Sequence, residues 1–414
     1  MSMARRMVLT AATALAVGAS VVPAPSAGAL STAWRRDVGR ELRAVVVDDG
    51  GNSLVTGYAR SNARRLQTLI VAKYAADGTR RWIDTWRPDA DTQAVGNDLA
   101  IGRDGRVYVA GALLGTDDQG PSGWFVRAYG PGGDVRWHRD QQGWRGQHRR
   151  SSALGIDTGG DLVAVAVTSE GGSGYHEGSV RAYGGDGSLA WTDDFEVSGY
   201  GTYDRATDVA VGGRGAVVVV GEIDQKRITA DRPVVDQEIV VQRLESGSGN
   251  VQWILVMRDA GVRDADIATG VAIRGDVLAV VGRIDGGPVT GPRSQRGHAW
   301  TARIGSANGS LAWQRAWGQA NRKAAEPDDV AIGPGGTIRT AGTVRGGGNG
   351  VDAYLRSYGP DGSRAGWMRL RSGRFLHGTG VATATSGGRL WLTAWRGTRE
   401  DDRPDGGHLW ELRP

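Results

Sequence analysis

The sequence predicts an all-β fold: a seven-bladed β-propeller of four-stranded antiparallel blades, its ring closed by an N-terminal strand that completes the last blade. Three observations predict it. One short turn recurs and each time runs into a tryptophan: "YAADGTRRW" from Tyr74, "YGPGGDVRW" from Tyr129, "YGGDGSLAW" from Tyr183 and "YGPDGSRAGW" from Tyr358, with looser copies from Leu244 and Ile304. The tryptophans Trp34, Trp82, Trp137, Trp191, Trp253, Trp313 and Trp367 stand 48, 55, 54, 62, 60 and 54 residues apart, the length of four short strands and their turns. The two chain ends complement each other. "GHLWELRP" at the C-terminus reads as the third strand of a unit with no fourth, and "LSTAWRRDVG" from Leu30 reads as a fourth strand with none before it.

Within a unit, four short runs rich in Val, Ile, Ala and aromatics alternate with Gly/Asp/Asn turns, the pattern of an antiparallel meander. We call the strands A to D. One unit reads "DLAIGRDGRVYVAGAL" from Asp98 and then "GWFVRAYGPGGDVRW" up to Trp137; another reads "DVAIGPGGTIRTAGTV" from Asp329 and then "DAYLRSYGPDGSRAGW". The A–B and C–D turns are short, with glycine and Asp/Asn supplying the positive φ of tight hairpins. Strand B ends in a small residue, Gly57, Gly111, Ala166, Gly221, Gly282, Gly342 and Ala394, which we read as room for neighbouring sheets to approach near a crowded axis.

The bulk composition agrees. Glycine reaches 67 of 414 residues without a collagen period, and apolar residues make up an evenly spread 40%, which excludes a disordered chain. Residues 1–29 are read as a signal peptide: Arg5 and Arg6 precede an apolar run shorter than a membrane span, and Ala27 and Ala29 suit cleavage after Ala29. Residues 30–414 are then one exported domain. It has no cysteine, so neither a disulfide nor a lipid-modified N-terminal cysteine is available. Net charge is +5, or +3 without the two leader arginines, and no basic cluster tracks phosphates, so nucleic acid is excluded as a partner.

The repeat resembles the bacterial SBBP β-propeller repeat family, on "DLAIGRDGRVYVAG", "TLIVAKYAADGTRRW" and "DAYLRSYGPDGSRAGW", and the likeness runs through residues 30–414. It implies a secreted or surface propeller and brings no catalytic residues.

Length and chemical variety collect in the B–C and D–A loops, which an up-and-down blade places on one face. The expected function is therefore a monomeric secreted binding module whose ligand, a carbohydrate or another polar group or a cell-surface protein, meets this face. The alternative is an extracellular hydrolase, lyase or quinoprotein on the same scaffold. The expected contacts are Asp98, Asp208 and Asp329 at the entrances of an axial channel, with loop aromatics Trp144, Tyr200, Trp317 and Trp395. Tyr175, Tyr203 and Phe375 are further aromatics of the same face. All six histidines are assigned to these loops without metal-ligand spacing, so no metal, cofactor or catalytic residue is assigned. "DGTRRW" fails the spacing of a sialidase Asp box. "SGNVQW" shares the Gly-to-Trp spacing of quinoprotein repeats, but those enzymes have eight blades and many place a cysteine pair over the quinone.

Overall fold

The computed structural model describes residues 8–12, 31–38, 41–60, 66–115, 122–142, 150–170, 176–195, 203–213, 215–228, 233–258, 266–284, 298–318, 325–345, 351–370, 375–383, 389–397 and 404–413. These form an all-β structure built from four-stranded antiparallel units. In the first unit strands A to D are Glu41–Val47, Ser53–Arg60, Gln67–Tyr74 and Arg80–Trp86. Strand A recurs as Thr92–Ile101, Arg150–Gly159, Tyr203–Gly212, Ile267–Arg274, Ala325–Ile332 and Phe375–Thr383. The last of these pairs with Leu390–Gly397, then Pro404–Arg413, and the fourth place in that sheet is taken by Ser31–Asp37 from the other end of the chain. Trp34 faces Glu411 there, and His408 Nδ1 lies 2.7 Å from Asp37 Oδ1.

Two further pairings extend one sheet. A short parallel bridge, His176–Tyr203 and Glu177–Asp204, joins the third and fourth units, and Val8–Ala12 lies parallel along the fourth unit's D strand, Val251–Arg258. Among the described residues the only helical segment is the 3₁₀ turn Pro334–Gly336, and no helix is long and apolar enough to cross a membrane.

The core lies between sheets. Val71 and Leu69 of the first unit pack with Leu99, Val109 and Phe125 of the second, and the same arrangement recurs from unit to unit. Val38, Leu42, Val45 and Ile70 pack with Ala382, Trp391 and Leu409, so the last unit meets the first through an equivalent apolar layer.

The recurrent turn and its tryptophan belong to different units. Trp82 Nε1 donates to Pro131 O at 3.1 Å, Trp137 to Gly185 O at 2.9 Å, Trp191 to Ser246 O at 2.6 Å and Trp313 to Pro360 O at 2.9 Å, each acceptor lying in the C–D turn of the next unit. The turn glycine rests on the indole: at Gly187, with φ +82°, a Cβ would come 2.7 Å from Trp137 Cδ2. Only a residue that tolerates positive φ and carries no side chain fits under the ring. Trp34 makes the same contact with the first unit, donating to Ala76 O at 3.2 Å, while Arg36 Nε donates to Gly78 O at 2.8 Å. Trp34 and Trp137 are both half-buried.

Trp367 does not continue this series. In the other units the tryptophan faces the residue just before the Tyr, Leu or Ile at the end of strand C, as Trp82 faces Lys73 before Tyr74 and Trp253 faces Arg243 before Leu244; in the sixth unit Gly366 holds that register and Trp367 faces Arg356. The turn itself is unchanged, Gly359–Ser363 closing as Ala75–Thr79 does; the extra residue stands in strand D ahead of the tryptophan, and one residue of slip turns a strand side chain to the opposite face. Trp367 therefore stacks on Tyr354 at 5.6 Å and meets Trp317 edge-on at 5.0 Å, remaining 44% exposed.

The small residue expected to end strand B lies inside it, since the strand runs on past Gly57, Gly111, Gly221, Gly282 and Gly342, and it has a different cause from the one expected. A Cβ on Gly57, Gly111, Gly221, Gly282 or Gly342 would sit 1.8 to 2.2 Å from a carbonyl oxygen of strand A in the same sheet, not of a neighbouring sheet. Gly221→Ala is thus expected to cost about 2–3 kcal/mol, because backbone and not a flexible side chain must move. Urea unfolding checks this: an unchanged midpoint would show that strand A yields freely.

Candidate functional site

Those carbonyls press on strand B because every A strand carries a β-bulge opposite the glycine or alanine. The extra residue is Arg43, Asn97, Leu154, Thr207, Thr269, Asp328 or Thr379 in units one to seven. A bulge re-aims its side chain out of the strand's alternation. Here it aims at the next unit. Asn97 Nδ2 donates to Ala153 O at 2.8 Å, Thr207 Oγ1 to Ala268 O at 2.7 Å, Thr269 Oγ1 to Pro327 O at 2.7 Å and Thr379 Oγ1 to Leu42 O at 2.6 Å. Where the third unit has apolar Leu154, Thr168 of strand B supplies the bond, donating to Ala206 O at 2.8 Å. The sixth unit breaks the pattern. An ionised Asp328 has no proton to donate, and its carboxylate makes no hydrogen bond or ion pair among the described residues.

The residue after the bulge is Asp98, Asp208 or Asp329 in the even units and glycine or alanine in the odd ones. Each of these aspartates accepts two backbone N–H groups. Asp98 takes Leu99 at 2.8 Å and Ile156 at 2.9 Å; Asp208 takes Val209 at 2.8 Å and Val271 at 2.7 Å; Asp329 takes Val330 at 2.6 Å and Val381 at 2.8 Å. Asp157 does the same two residues further along its strand, to Thr158 and Val211. These carboxylates staple adjoining A strands, and the facing glycine is what admits them: a Cβ on Gly155 would lie 2.2 Å from Asp208 Oδ1.

All of them are partly accessible yet surrounded by protein. Desolvation pushes Asp98 up to about 8 against its two N–H bonds, helped by the charge of Asp329. It holds Asp208 well above the ordinary carboxylate range, with Asp98 adding to the rise, and brings Asp157 and Asp329 to about 6. The three expected ligand contacts are thus brought together, as mutually repelling anchors whose oxygens already serve the backbone.

The open polar groups lie beside them, towards the long-loop face. A cavity of about 400 Å³ spans units four to six, lined by Arg205, Glu222, Gln237, Thr269, Arg283, Glu326 and Asp328. Arg205 also borders a second cavity of about 310 Å³, with Arg43, Asn97, Ser152 and Glu170. Arg205 Nη1 pairs with Glu222 Oε1 at 2.9 Å; burial raises the Glu222 carboxyl and the arginine charge opposes the rise. Asp328 and Glu326 are both exposed to solvent, and for Asp328 partial desolvation, then the charges of Glu326 and Asp329, raise the carboxyl above its ordinary value. A third cavity, about 370 Å³, lies on the short-turn face and is mostly glycine and other backbone, with Arg103 its one charged residue.

Of the expected aromatics, the two that are described, Trp317 and Trp395, do not line this mouth. Trp317 closes a D strand and meets Tyr354 edge-on at 4.9 Å, with Arg356 4.5 Å from its ring; Trp395 stacks on His377 at 4.1 Å within the last sheet. Trp144, Tyr175 and Tyr200 lie outside the described residues, and Tyr203 and Phe375 are described for their backbone alone. The histidines are corrected too: His138, His176, His298, His377 and His408 lie in strands, and His148 is outside the described residues. Among the described residues no group of three His, Cys, Asp or Glu side chains could hold a metal ion. Glu326 and Asp328 escaped the sequence reading. The available signal was "PDDV" at 327–330, an acid in the bulge position where other units have "RA", "ND", "LG", "TD" or "TG".

No family model matches the chain, and no curated sequence matches it. Solved structures similar to it include a quinohemoprotein alcohol dehydrogenase from Comamonas testosteroni (TM-score 0.47, 11% identity, 92% of this chain and 76% of that one). An α-L-arabinofuranosidase of Fusarium graminearum in complex with arabinobiose has TM-score 0.48 and 12% identity over 76% of this chain and 92% of that one. The β-propeller domain of the trilobed protease from Pyrococcus furiosus has TM-score 0.47 and 7% identity over 90% and 94%. At this distance their activities are not transferred to the chain.

Proposed function

We propose that the chain is an exported, seven-bladed propeller of the SBBP-repeat kind that works as a binding module, with a polar, carbohydrate-like ligand in the mouth between units four and six. Closure by Ser31–Asp37 is supported by equivalence of contacts. Thr379 to Leu42 repeats the bond of Thr207 to Ala268, and Trp34 to Ala76 repeats that of Trp137 to Gly185.

One observation carries the site. A bulge side chain ties its unit to the next in units two, four, five and seven, and the sixth unit gives up that bond for a carboxylate open to a cavity. A repeat that forgoes a stabilising hydrogen bond, worth about 1 kcal/mol, at one position does so for function. A glycan array tests this with the paired Glu326→Ala, Asp328→Ala variant and with Arg103→Ala on the opposite face. Binding is expected to fall at least tenfold in the first and to be unchanged in the second. Loss in Arg103→Ala alone would put the ligand on the short-turn face.

A further inference from the structure

The geometry points to a second binding site, at the junction of the fifth unit's D strand with strands C and D of the sixth, that takes the carboxylate of an acidic sugar. It lies outside the mouth and does not depend on it. Two junctions between units carry the same cluster. Where the first unit meets the second, Trp86 packs edge-on against Phe125 and His138, and Arg127 lies 4.8 Å from the Trp86 ring and 5.6 Å from that of Tyr129. Where the fifth meets the sixth, Trp317, Tyr354, Trp367, Arg356 and Tyr358 hold the corresponding places, with Arg356 4.5 Å from the Trp317 ring and 5.3 Å from that of Tyr358. The registers agree: His138 faces Arg127 and Trp367 faces Arg356.

The two clusters differ in their acceptor. Asp84, two residues after Trp82, accepts the Tyr129 hydroxyl at 2.9 Å and pairs with Arg127 at 3.6 Å. Two residues after Trp313 stands Arg315 instead, which donates to the carbonyls of Gly362 and Gln314. Arg356 is consequently a cation only 8% exposed with no ion pair among the described residues. Its Nε, the Tyr358 hydroxyl and the Trp317 indole N–H are all enclosed without a hydrogen-bond partner. Leaving a buried charge unpaired is strongly destabilising, and several orphaned donors at one junction call for an acceptor from outside. Neighbouring acids do not supply it. Asp352 accepts from Arg369, Asp361 accepts from Ser363, and Arg364 adds a further cation. Burial, with Arg364 adding to it, lowers the affinity of Arg356 for its proton, an effect that a bound anion opposes.

The missing acceptor has a defined place. Asp84 keeps 29% of its side chain exposed, so the corresponding place between the fifth and sixth units opens on solvent and admits a carboxylate carried by a ligand. The planar fork of a guanidinium matches that group. Trp367 stands beside it where the second unit has His138, with one face of its indole on Tyr354 and nearly half of its surface open. A uronic acid meets both features, because its carboxylate sits directly on a pyranose ring whose apolar C–H face lies flat on an indole.

Isothermal titration with tetragalacturonate, its methyl-esterified counterpart and tetraglutamate tests the inference. Tetragalacturonate is expected to bind about 30-fold more tightly than either of the others. Arg356→Met and Trp367→Ala should each weaken it roughly tenfold or more, while Arg103→Ala, which removes the same charge from the short-turn face, leaves it unchanged. Arg356→Met is also expected to melt no lower than the parent, because an unpaired buried charge is gone. Equal affinity for the ester would overturn the carboxylate, and equal affinity for tetraglutamate would overturn the sugar. No binding of tetragalacturonate, binding retained in Arg356→Met, or an equal loss in Arg103→Ala would overturn the site. A lower melting temperature in Arg356→Met, with binding intact in Trp367→Ala, would reduce the arginine to packing support and overturn it too.

Discussion

Deleting residues 31–37 is expected to destabilise the protein more than any other short deletion in the described strands. The segment pairs along Pro404–Arg413 and buries no large core of its own, but together with Arg389, which donates to Ala76 O at 3.4 Å, it carries the described hydrogen bonds that reach from the last sheet to the first C–D turn. Losing it exposes the edge of Pro404–Arg413 and of the apolar layer around Val38, Trp391 and Leu409. Trp34→Ala isolates one part of that effect. The ring is half-buried and its N–H bond to Ala76 O is 3.2 Å, so the expected cost is about 3 kcal/mol, from lost packing plus the lost hydrogen bond. The deletion should cost more than twice as much, with a fall in melting temperature to match. Calorimetry of the two variants decides the matter; equal, small shifts would show that the two chain ends are held together some other way.

The second large effect is on pH. A carboxyl whose folded value lies above its unfolded one, about 3.9, binds extra protons when folded. The stability it contributes is complete below about pH 4 and is lost as pH rises through the folded value. Asp157 and Asp329 at about 6 and Asp98 at about 8 set that window, with Asp208 shifted the same way. Stability should therefore fall between pH 4 and pH 8, by roughly 5 kcal/mol once the solvent reaching these partly accessible groups is allowed for. The turn aspartates Asp77, Asp186 and Asp361 work oppositely. Backbone and side-chain hydrogen bonds from Thr79, Ser188 and Ser363 lower them, so their contribution is lost as pH falls through the acid range. The melting temperature is expected to peak near pH 4–5 and to decline towards pH 8, and Asp98→Asn should flatten the decline while lowering the peak. A melting temperature that rises from pH 5 to pH 8 would mean that these carboxyls stay ionised and well solvated in the folded chain.

The local architecture was legible in the chain because it is written in local chemistry. "YGPGGDVRW" contains both the turn formers and the strand that follows them, so four-strand units and their boundaries follow from residues within ten positions of one another. The pairing of "LSTAWRRDVG" with "GHLWELRP" was equally readable, since an unmatched fourth strand and an unmatched third strand have no other partner in a repeated unit.

What escaped was decided by parity and by neighbours. Trp367 copies the tryptophan pattern by eye, but one extra residue in strand D before it sends it to the other face, because side-chain direction in a strand has a period of two. Asp98 and Asp328 likewise look like members of one acidic class. The A-strand bulge separates them: it turns Asp98 and its counterparts onto the next unit's N–H groups and leaves Asp328 facing a cavity with nothing to hold. The sequence by itself determined the strands, their grouping and the join of the chain ends, which rest on contacts between near neighbours or on a repeated pattern. Only the tertiary structure decided which aspartates staple the sheets and which acids stay open, because that depends on which backbone N–H of a unit some fifty residues away is presented to each carboxylate.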